Sequence, residues 1–252
     1  MRETSTCDNP QDYRQRIYER YASLFQDAPE VFDEAGARRW GRAYRHYLRG
    51  WLPGDNAARI VELACGGGRL LHFLKNAGYA RIEGVDISPE QVKLSKQVTP
   101  EVHEANVLDW LKDGSHKYRL IVGLDIVEHF EKAEVLVFLD TCSDALEPGG
   151  RLVLQTPNAD SPWGPSIRYG DFTHEVCFSP ISLSRMLVLA GFSNIEARET
   201  GPVPWGHSWR STMRCLIWQL IRLWLKLWNV AEMGHAGSGV FTRNFMISGV
   251  KP

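Results

Sequence analysis

The sequence predicts an α/β fold in three layers, built on a seven-stranded, mostly parallel sheet whose last strand is antiparallel. Three observations lead to this prediction. From residue 58 onward, short runs rich in β-branched residues alternate with helical runs. Glycine- or proline-containing turns separate these runs. The segment YRLIVGLDI is apolar along most of its length, which is typical of a strand covered on both faces by helices.

The first half of the chain supplies four strands and the helices between them. ARIVELA is the first strand, and RLLHFLKNAG is a helix that ends at Gly78. RIEGVDI is the second strand. Ser88, Pro89 and Gln91 then open a helix as its N-cap, its first residue and the partner in a capping box. VHEANVLDW continues the alternation, and YRLIVGLDI follows as the next strand.

The second half repeats the pattern with a longer final connection. A helix ends at the Glu-Pro-Gly-Gly turn of residues 147–150, and RLVLQTP is the fifth strand. Ser179 and Pro180 open a helix that Gly191 closes, before a short strand at residues 193–198 and a last strand in RNFMISGV. We therefore divide the chain into an N-terminal helical cap (1–54), a core (55–207), a helical insert rich in Trp and Arg (208–237) and the last core strand (238–252).

Composition excludes several classes of protein. A net charge of −1 gives no global field that would attract nucleic acid, so we expect no nucleic-acid partner. The five cysteines form no Cys-x-x-Cys pair, which argues against a zinc site or a disulfide framework. The N-terminus lacks the apolar run of a secretion signal. We expect a cytoplasmic protein, with a peripheral position at the inner face of the membrane as the alternative.

The turn after the first strand has the features of a ligand site. Small residues at Ala64, Gly66 and Gly68 let the backbone approach a ligand, and Asp86 follows Gly66 by 20 residues, the spacing of a carboxylate that binds ribose. Glu62 precedes the glycines. Its charge would repel the pyrophosphate of NAD but favour an ammonium or sulfonium group, which makes a dehydrogenase the weaker alternative.

These segments resemble the motifs of a known family. VELACGGGRL is similar to the first motif of class I S-adenosylmethionine (SAM)-dependent methyltransferases, and GVDISPEQV is similar to the second. The resemblance implies a Rossmann-like sheet with SAM as cofactor. Ala64 replaces the family's usual first glycine, a change that we expect to be tolerated unless this residue needs a positive φ.

The resemblance also implies which residues bind the cofactor. Asn106, after the third strand, stands where the family often has an aspartate that accepts a hydrogen bond from adenine. GLDIVEHF resembles the segment that flanks the methionine end of SAM, with Leu124 and Asp125 nearest to it. The expected cofactor-binding residues are Glu62, Ala64, Gly66, Gly68, Asp86, Ile87, Asn106, Val107 and Leu124.

Methylation of a hydroxyl group requires a base, and we expect His174 to be that base, with Asp125 and His129 as further catalytic residues. The alternative role of His174 is to fasten its loop, and that of His129 is a buried tether. We expect no metal. The other possibility is a divalent cation on Asp125, Glu128 and His129, which the similarity to quinone-type O-methyltransferases raises.

Residues 208–230 contain four tryptophans and four basic residues but no acidic one. The basic residues recur at multiples of four and would form one cationic stripe on a helix that lies at a membrane interface or in a homodimer. The chain looks most like methyltransferases of polysaccharides and sugar intermediates. We expect O-methylation of a sugar, glycan or lipid-linked hydroxyl; the alternatives are N-methylation of an amino sugar or another small molecule, and a non-catalytic SAM-binding subunit.

Overall fold

The computed structural model describes residues 14, 17–21, 23, 30–113, 116–204 and 208–252. Most of the first helix expected in the N-terminal cap lies outside these residues. The described helices and strands, in chain order, are α1 (Glu34–Tyr47), β1 (Arg59–Leu63), α2 (Arg69–Asn76), β2 (Arg81–Asp86), α3 (Pro89–Ser95), β3 (Val102–Glu104), α4 (Val107–Lys112), β4 (Tyr118–Leu124), a 3-10 turn (Val127–His129), α5 (Lys132–Ala145), β5 (Leu146–Pro157), α6 (Gly164–Arg168), α7 (Pro180–Leu189), β6 (Ser193–Glu199), α8 (Trp209–Met233) and β7 (Asn244–Val250).

One seven-stranded sheet in the order β3-β2-β1-β4-β5-β7-β6 organises these elements. Strands β1 to β5 pair in parallel, and β7 runs antiparallel to both β5 and β6. The predicted fold class is confirmed, including the antiparallel last strand. The chain reverses its direction of travel across the sheet between β1 and β4, so the carboxyl ends of these two strands flank the crevice where such sheets bind ligands.

The hydrophobic core has two layers because neighbouring residues of β1 face opposite sides of the sheet. Val61 packs with Phe138 and Leu139 of α5 on one face. Ile60 packs on the other face with Leu74 of α2 and with Leu48, next to α1. Helices therefore cover both faces, as the apolar β4 pattern predicts.

Two details at predicted helix boundaries need correction. Ser88 is the N-cap of α3, but its side chain makes no capping bond among the described residues, so the capping box is wrong. The Ser88 amide instead donates to Asp86 Oδ1 over 2.9 Å. The preceding helix ends at Ala145, just before residues 147–150, as predicted, but this segment is an irregular first part of β5 and not a separate turn: the register with β4 shifts there and Gly149 has φ +71°.

The helix α8 connects β6 to β7, the two paired strands at one edge of the sheet. Trp218 Nε1 donates to Glu199 Oε2 over 3.1 Å, and Arg222 Nε lies 3.4 Å from the same oxygen. The single cationic stripe predicted for this helix is therefore divided, because Arg222 is tied to the body while Arg210 and Arg214 are exposed. Within the described ranges, no helix combines the length and apolarity that crossing a bilayer requires.

Candidate active site

A cavity of about 1540 Å³ lies at the carboxyl ends of the parallel strands. The bend between β1 and α2 and the ends of β2 and β4 form one part of its wall. The segment after β4 and the loop of residues 167–174 form another. The expected cofactor and catalytic residues thus converge on one cavity, with the exception of Gly68.

The bend that forms part of this wall places three residues in the left-handed region of backbone conformation. Ala64 has φ 52°, Gly66 φ 50° and Gly68 φ 81°. Ala64 and Gly66 line the cavity. Gly68 is turned instead toward α3, where a Cβ would come within 3.0 Å of Ser95 Cβ, so its small size allows helix packing. Ala64 thus has the positive φ at which an alanine, unlike the family's usual glycine, is strained and lowers stability.

Asp86 fixes the bend as well as facing the cavity. Its Oδ2 accepts a hydrogen bond from the Gly66 amide over 2.8 Å, and its Oδ1 accepts from Ser88. Burial raises the pKa of the carboxyl group, and the bonds from backbone amides oppose that effect. Each carboxylate oxygen retains a second lone pair, which can accept a hydrogen bond from a ribose hydroxyl.

Glu62 supplies the observation that tests whether SAM fits this site. Its side chain is 3% exposed, it lines the cavity, and its Oε2 has no hydrogen-bond partner among the described residues. Burial raises the pKa of the carboxyl group well above its ordinary value. A buried acceptor of this kind is costly unless a ligand completes it. The ammonium group of SAM carries the charge and the protons that this oxygen lacks.

The expected adenine end of the cavity combines apolar side chains with one amide. Ile87 follows β2 and is 44% exposed on the cavity wall, and the buried Val107 lines the wall beyond it. Asn106 is the N-cap of α4, and its Oδ1 accepts from the Leu108 amide over 2.9 Å. The oxygen predicted to bind adenine is therefore already a helix cap, with one lone pair left for a ligand.

At the other end of the cavity, Leu124 ends β4 and Asp125 follows it with φ 55°. Gln155 Nε2 donates to Asp125 Oδ2 over 2.9 Å, and Asn244 Nδ2 donates to Oδ1 over 3.2 Å. Burial raises the pKa of Asp125 to about 6, against the opposing effect of the bond from Gln155. Two amide donors thus hold this carboxyl group in one orientation in a strained backbone position.

The two predicted catalytic histidines are in contact, with ring centroids 4.9 Å apart. His174 Nδ1 lies 3.1 Å from the Ile167 carbonyl oxygen, which only accepts, so this nitrogen carries the proton. His129 Nδ1 lies 2.9 Å from Thr173 Oγ1, whose own proton is donated to Asp171 Oδ1 over 2.6 Å. His129 Nδ1 is therefore also a donor, and both Nε2 atoms have a free lone pair.

Burial disfavours the charged form of both rings. It lowers the pKa of His129 to about 4, with the neighbouring His174 adding to the effect, and it lowers the pKa of His174. Both rings are neutral near pH 7. Neutral imidazoles with a free Nε2 are able to accept a proton from a substrate.

The buried Glu128 lies beside the two histidines. Thr156 Oγ1 donates to Glu128 Oε2 over 3.0 Å, whereas Oε1 has no partner among the described residues. Ligand atoms of Glu128, His129 and His174 lie within 4.8 Å of one another, a set that could hold a cation. Asp125 is not part of this set, and its oxygens accept hydrogen bonds from Gln155 and Asn244. The set thus differs from the alternative metal site predicted on Asp125, Glu128 and His129 by having His174 in place of Asp125.

The residues that orient these groups were not among the predicted site residues. Asp171 and Thr173 stand in the polar loop around His174, so their polarity was a usable signal. Gln155 and Asn244 belong to β5 and β7, whose antiparallel pairing brings them beside Asp125. No local pattern identifies them.

Comparison with known proteins agrees with this geometry. A family model described as "Methyltransferase domain" matches residues 14–197. The chain belongs to this methyltransferase family. The family match identifies SAM, not NAD, as the cofactor of the glycine bend. The Glu62 oxygen that lacks a partner among the residues described agrees with this assignment.

Curated relatives of this methyltransferase match part of its length. "Ubiquinone biosynthesis O-methyltransferase" of Chelativorans sp. (strain BNC1) is 29% identical over 105 residues, 40% of each chain. The protein of the same name from Xylella fastidiosa (strain 9a5c) is 28% identical over 109 residues, 41% of this chain and 43% of that one. The methyltransferase thus matches about two fifths of the length of these relatives.

Solved structures share the whole fold at low identity. A SAM-dependent methyltransferase from Archaeoglobus fulgidus superposes with a TM-score of 0.61 at 18% identity and covers 96% of this chain and 100% of its own. Magnesium protoporphyrin IX methyltransferase from Synechocystis PCC 6803, crystallised with bound SAM, gives a TM-score of 0.59 at 16% identity and covers 99% and 100%. These similarities establish the class I methyltransferase fold.

Proposed function

We propose that the protein transfers the methyl group of SAM to a hydroxyl oxygen of a lipid-linked acceptor, with His174 as general base. The observation that carries the proposal is the contact between His129 and His174, each neutral and each with a free Nε2, at the end of the cavity away from the ribose-binding Asp86. A hydroxyl acceptor needs such a base, whereas an amine acceptor does not.

SAM supplies an activated methyl group, so the protein has to align the acceptor, exclude water and remove one proton. Glu62 accepts hydrogen bonds from the ammonium group, and Asp86 accepts them from the ribose. His174 Nε2 accepts the hydroxyl proton, while its Nδ1 stays bound to the Ile167 carbonyl and keeps the ring in place. His129 is the weaker base near neutral pH because burial lowers its pKa to about 4.

The choice of acceptor has two supports. The curated relatives are named for ubiquinone biosynthesis, which favours a hydroxyl on a lipid-soluble molecule and gives no support to polysaccharide biosynthesis. In addition, two aromatic side chains near the cavity are exposed: Trp163, the N-cap of α6, by 57%, and Tyr169, next to the cavity-lining Gly170, by 81%. An acceptor with an apolar chain would contact these rings.

The test is an assay with methyl-labelled SAM and three acceptors: a prenylated phenol in detergent, a sugar nucleotide and an amino sugar. We expect a methyl ether on the phenol. His174→Gln should lower kcat by about a hundredfold or more with an unchanged Kd for SAM. His103→Gln is the matched control because His103 stacks on Trp110, away from the cavity. The proposal fails if only the amino sugar is methylated, or if SAM binds and no acceptor reacts.

A further inference from the structure

The helix α8 presents an apolar face that nothing in the described part of the chain covers. Each of its 25 residues is described, and none is buried. Trp209, Leu220 and Leu227 are 73%, 69% and 60% exposed. The exposed apolar residues recur at intervals of four and three, which places them on one side of a helix. We name this side the outer face: Trp209, Met213, Leu216, Leu220, Leu223 and Leu227.

The opposite side of α8 is bonded to the rest of the protein, so the outer face points to solvent. Trp218 and Arg222 bind Glu199. Ser211 Oγ donates to the Val203 carbonyl over 2.8 Å, and Thr212 Oγ1 donates to the Pro204 carbonyl over 2.6 Å. The helix is therefore held along its first half, and turning the outer face inward would break these bonds.

The charge of the helix indicates what covers the outer face. Helix α8 carries four positive charges and one negative charge, that of Glu232 near its C-terminal end, in a chain whose net charge is −1. Arg210 and Arg214 are exposed, and Arg210 lies beside the outer face, over the Trp209 ring at 5.7 Å. Trp224 and Trp228 flank the same face and are 55% and 54% exposed. Apolar residues flanked by indole rings and cations match the depth profile of an anionic bilayer surface.

The position of α8 relates this surface to the cavity. The helix follows β6, which ends at Glu199, and precedes β7, which begins at Asn244. Asn244 pairs with Pro157 at the carboxyl end of β5 and lines the cavity. Both ends of the α8 connection thus lie at the sheet edge that forms the cavity, the same edge from which the loop with Trp163 and Tyr169 extends.

We infer that α8 lies flat on an anionic lipid bilayer through its outer face and thereby brings the edge of the cavity to the membrane surface. The membrane contact stands on α8 alone. The delivery of an acceptor from the bilayer rests on the proposed function, so the two are tested separately.

The first experiment measures flotation of the full chain with vesicles of phosphatidylglycerol and phosphatidylcholine, compared with phosphatidylcholine alone. We expect binding to the anionic vesicles that high salt weakens. The double variant Leu220→Ser/Leu227→Ser should lower the partition coefficient by about tenfold or more. Leu189→Ser is the matched control because Leu189 is 67% exposed on α7, remote in sequence from α8, and it should bind as the wild type does.

Circular dichroism and SAM titration would check that the double variant is folded. Two results would overturn the inference: wild-type protein that does not float with anionic vesicles, or light scattering that shows a dimer which the double variant dissociates while vesicle binding is unaffected. The second result would assign the outer face to another copy of the chain.

The second experiment separates membrane contact from chemistry. The double variant should keep the wild-type kcat for a short-chain phenol in solution and lose about tenfold or more in rate for a prenylated phenol embedded in vesicles. Equal rates for both substrates would refute delivery from the bilayer. Absence of turnover with any phenol, together with normal flotation, would instead contradict the proposed function and leave the membrane contact established.

Discussion

The Gly66 amide donates to Asp86 Oδ2 over 2.8 Å, which joins the bend after β1 to the end of β2. The residue expected to bind ribose therefore also holds the backbone that approaches the cofactor. A change at Asp86 should affect both stability and SAM binding, because the Ser88 amide binds its second oxygen.

We predict that Asp86→Asn raises the Kd for SAM by about tenfold or more and lowers the free energy of unfolding by roughly 1–3 kcal/mol. The asparagine amide group would place a donor against one of the two backbone donors. Calorimetric titration with SAM and urea unfolding give the two quantities. Asp113→Asn, at an exposed helix end, is the control and should change neither. Weak SAM binding without loss of stability would mean that Asp86 does not hold the bend.

The sequence predicted where the strands lie and that the site residues meet in one cavity. The first depends on local apolar pattern, and the second on a general rule of parallel sheets. Apolar periodicity located β1 and β4, and parallel strands place their carboxyl ends at one edge of the sheet. The geometry around the histidines depends instead on tertiary packing. His129 and Thr173 are 44 residues apart in sequence, and their contact exists because the loop after β5 folds back over the 3-10 turn.

The same reasoning explains what the sequence missed at Ser88 and in α8. Serine is a common N-cap residue, but the Ser88 side chain makes no capping bond among the described residues, and the Ser88 amide donates to the Asp86 carboxylate instead. Spacing alone placed Arg222 in one stripe with Arg214. Only the position of Glu199 on β6 shows that Arg222 faces the body.

The left-handed conformation of Ala64 leads to a second prediction. Its φ of 52° strains an alanine but suits a glycine. We expect Ala64→Gly to raise the free energy of unfolding by about 1 kcal/mol, measured by urea unfolding. Ala133→Gly in the exposed first turn of α5 is the matched control and should lower stability by about 0.5–1 kcal/mol. A loss of stability in Ala64→Gly would show that the methyl group contributes packing that outweighs the strain.

The buried His129 leads to a prediction about pH and stability. Burial lowers the pKa of its ring to about 4, from an ordinary value of 6.5. A lowered histidine pKa contributes stability that is complete above the unfolded pKa and is lost as the pH falls toward the folded pKa. Between about pH 7 and about pH 5, wild-type protein should therefore lose about 2 kcal/mol through this ring.

His129→Gln should abolish that contribution, so the difference in unfolding free energy between variant and wild type should shrink by about 2 kcal/mol on acidification. The carboxyl groups of Asp125 and Glu128 have raised pKa values and act in the opposite direction, but they are present in both proteins. Urea unfolding at the two pH values measures the difference. An unchanged difference for His129→Gln would show that folding does not lower the pKa of the ring.

The Glu62 oxygen that has no hydrogen-bond partner in the described ranges leads to the final prediction. Glu62→Gln should raise the Kd for SAM by about tenfold or more, because it replaces a buried charge–charge interaction by a neutral one. S-adenosylhomocysteine lacks the sulfonium charge but keeps the ammonium group. If Glu62 binds the ammonium group, the variant loses affinity for both ligands by the same factor; if only SAM binding weakens, Glu62 faces the sulfonium.

Calorimetric titration with the two ligands across pH distinguishes these results. Since burial raises the pKa of Glu62, SAM affinity of the wild type should increase with pH as the carboxyl group ionises, and the variant should lose that dependence. Glu101→Gln, which is exposed, serves as the control. An unaltered Kd for both ligands in Glu62→Gln would contradict this prediction. It would show that cofactor binding at the bend does not need the negative charge of Glu62.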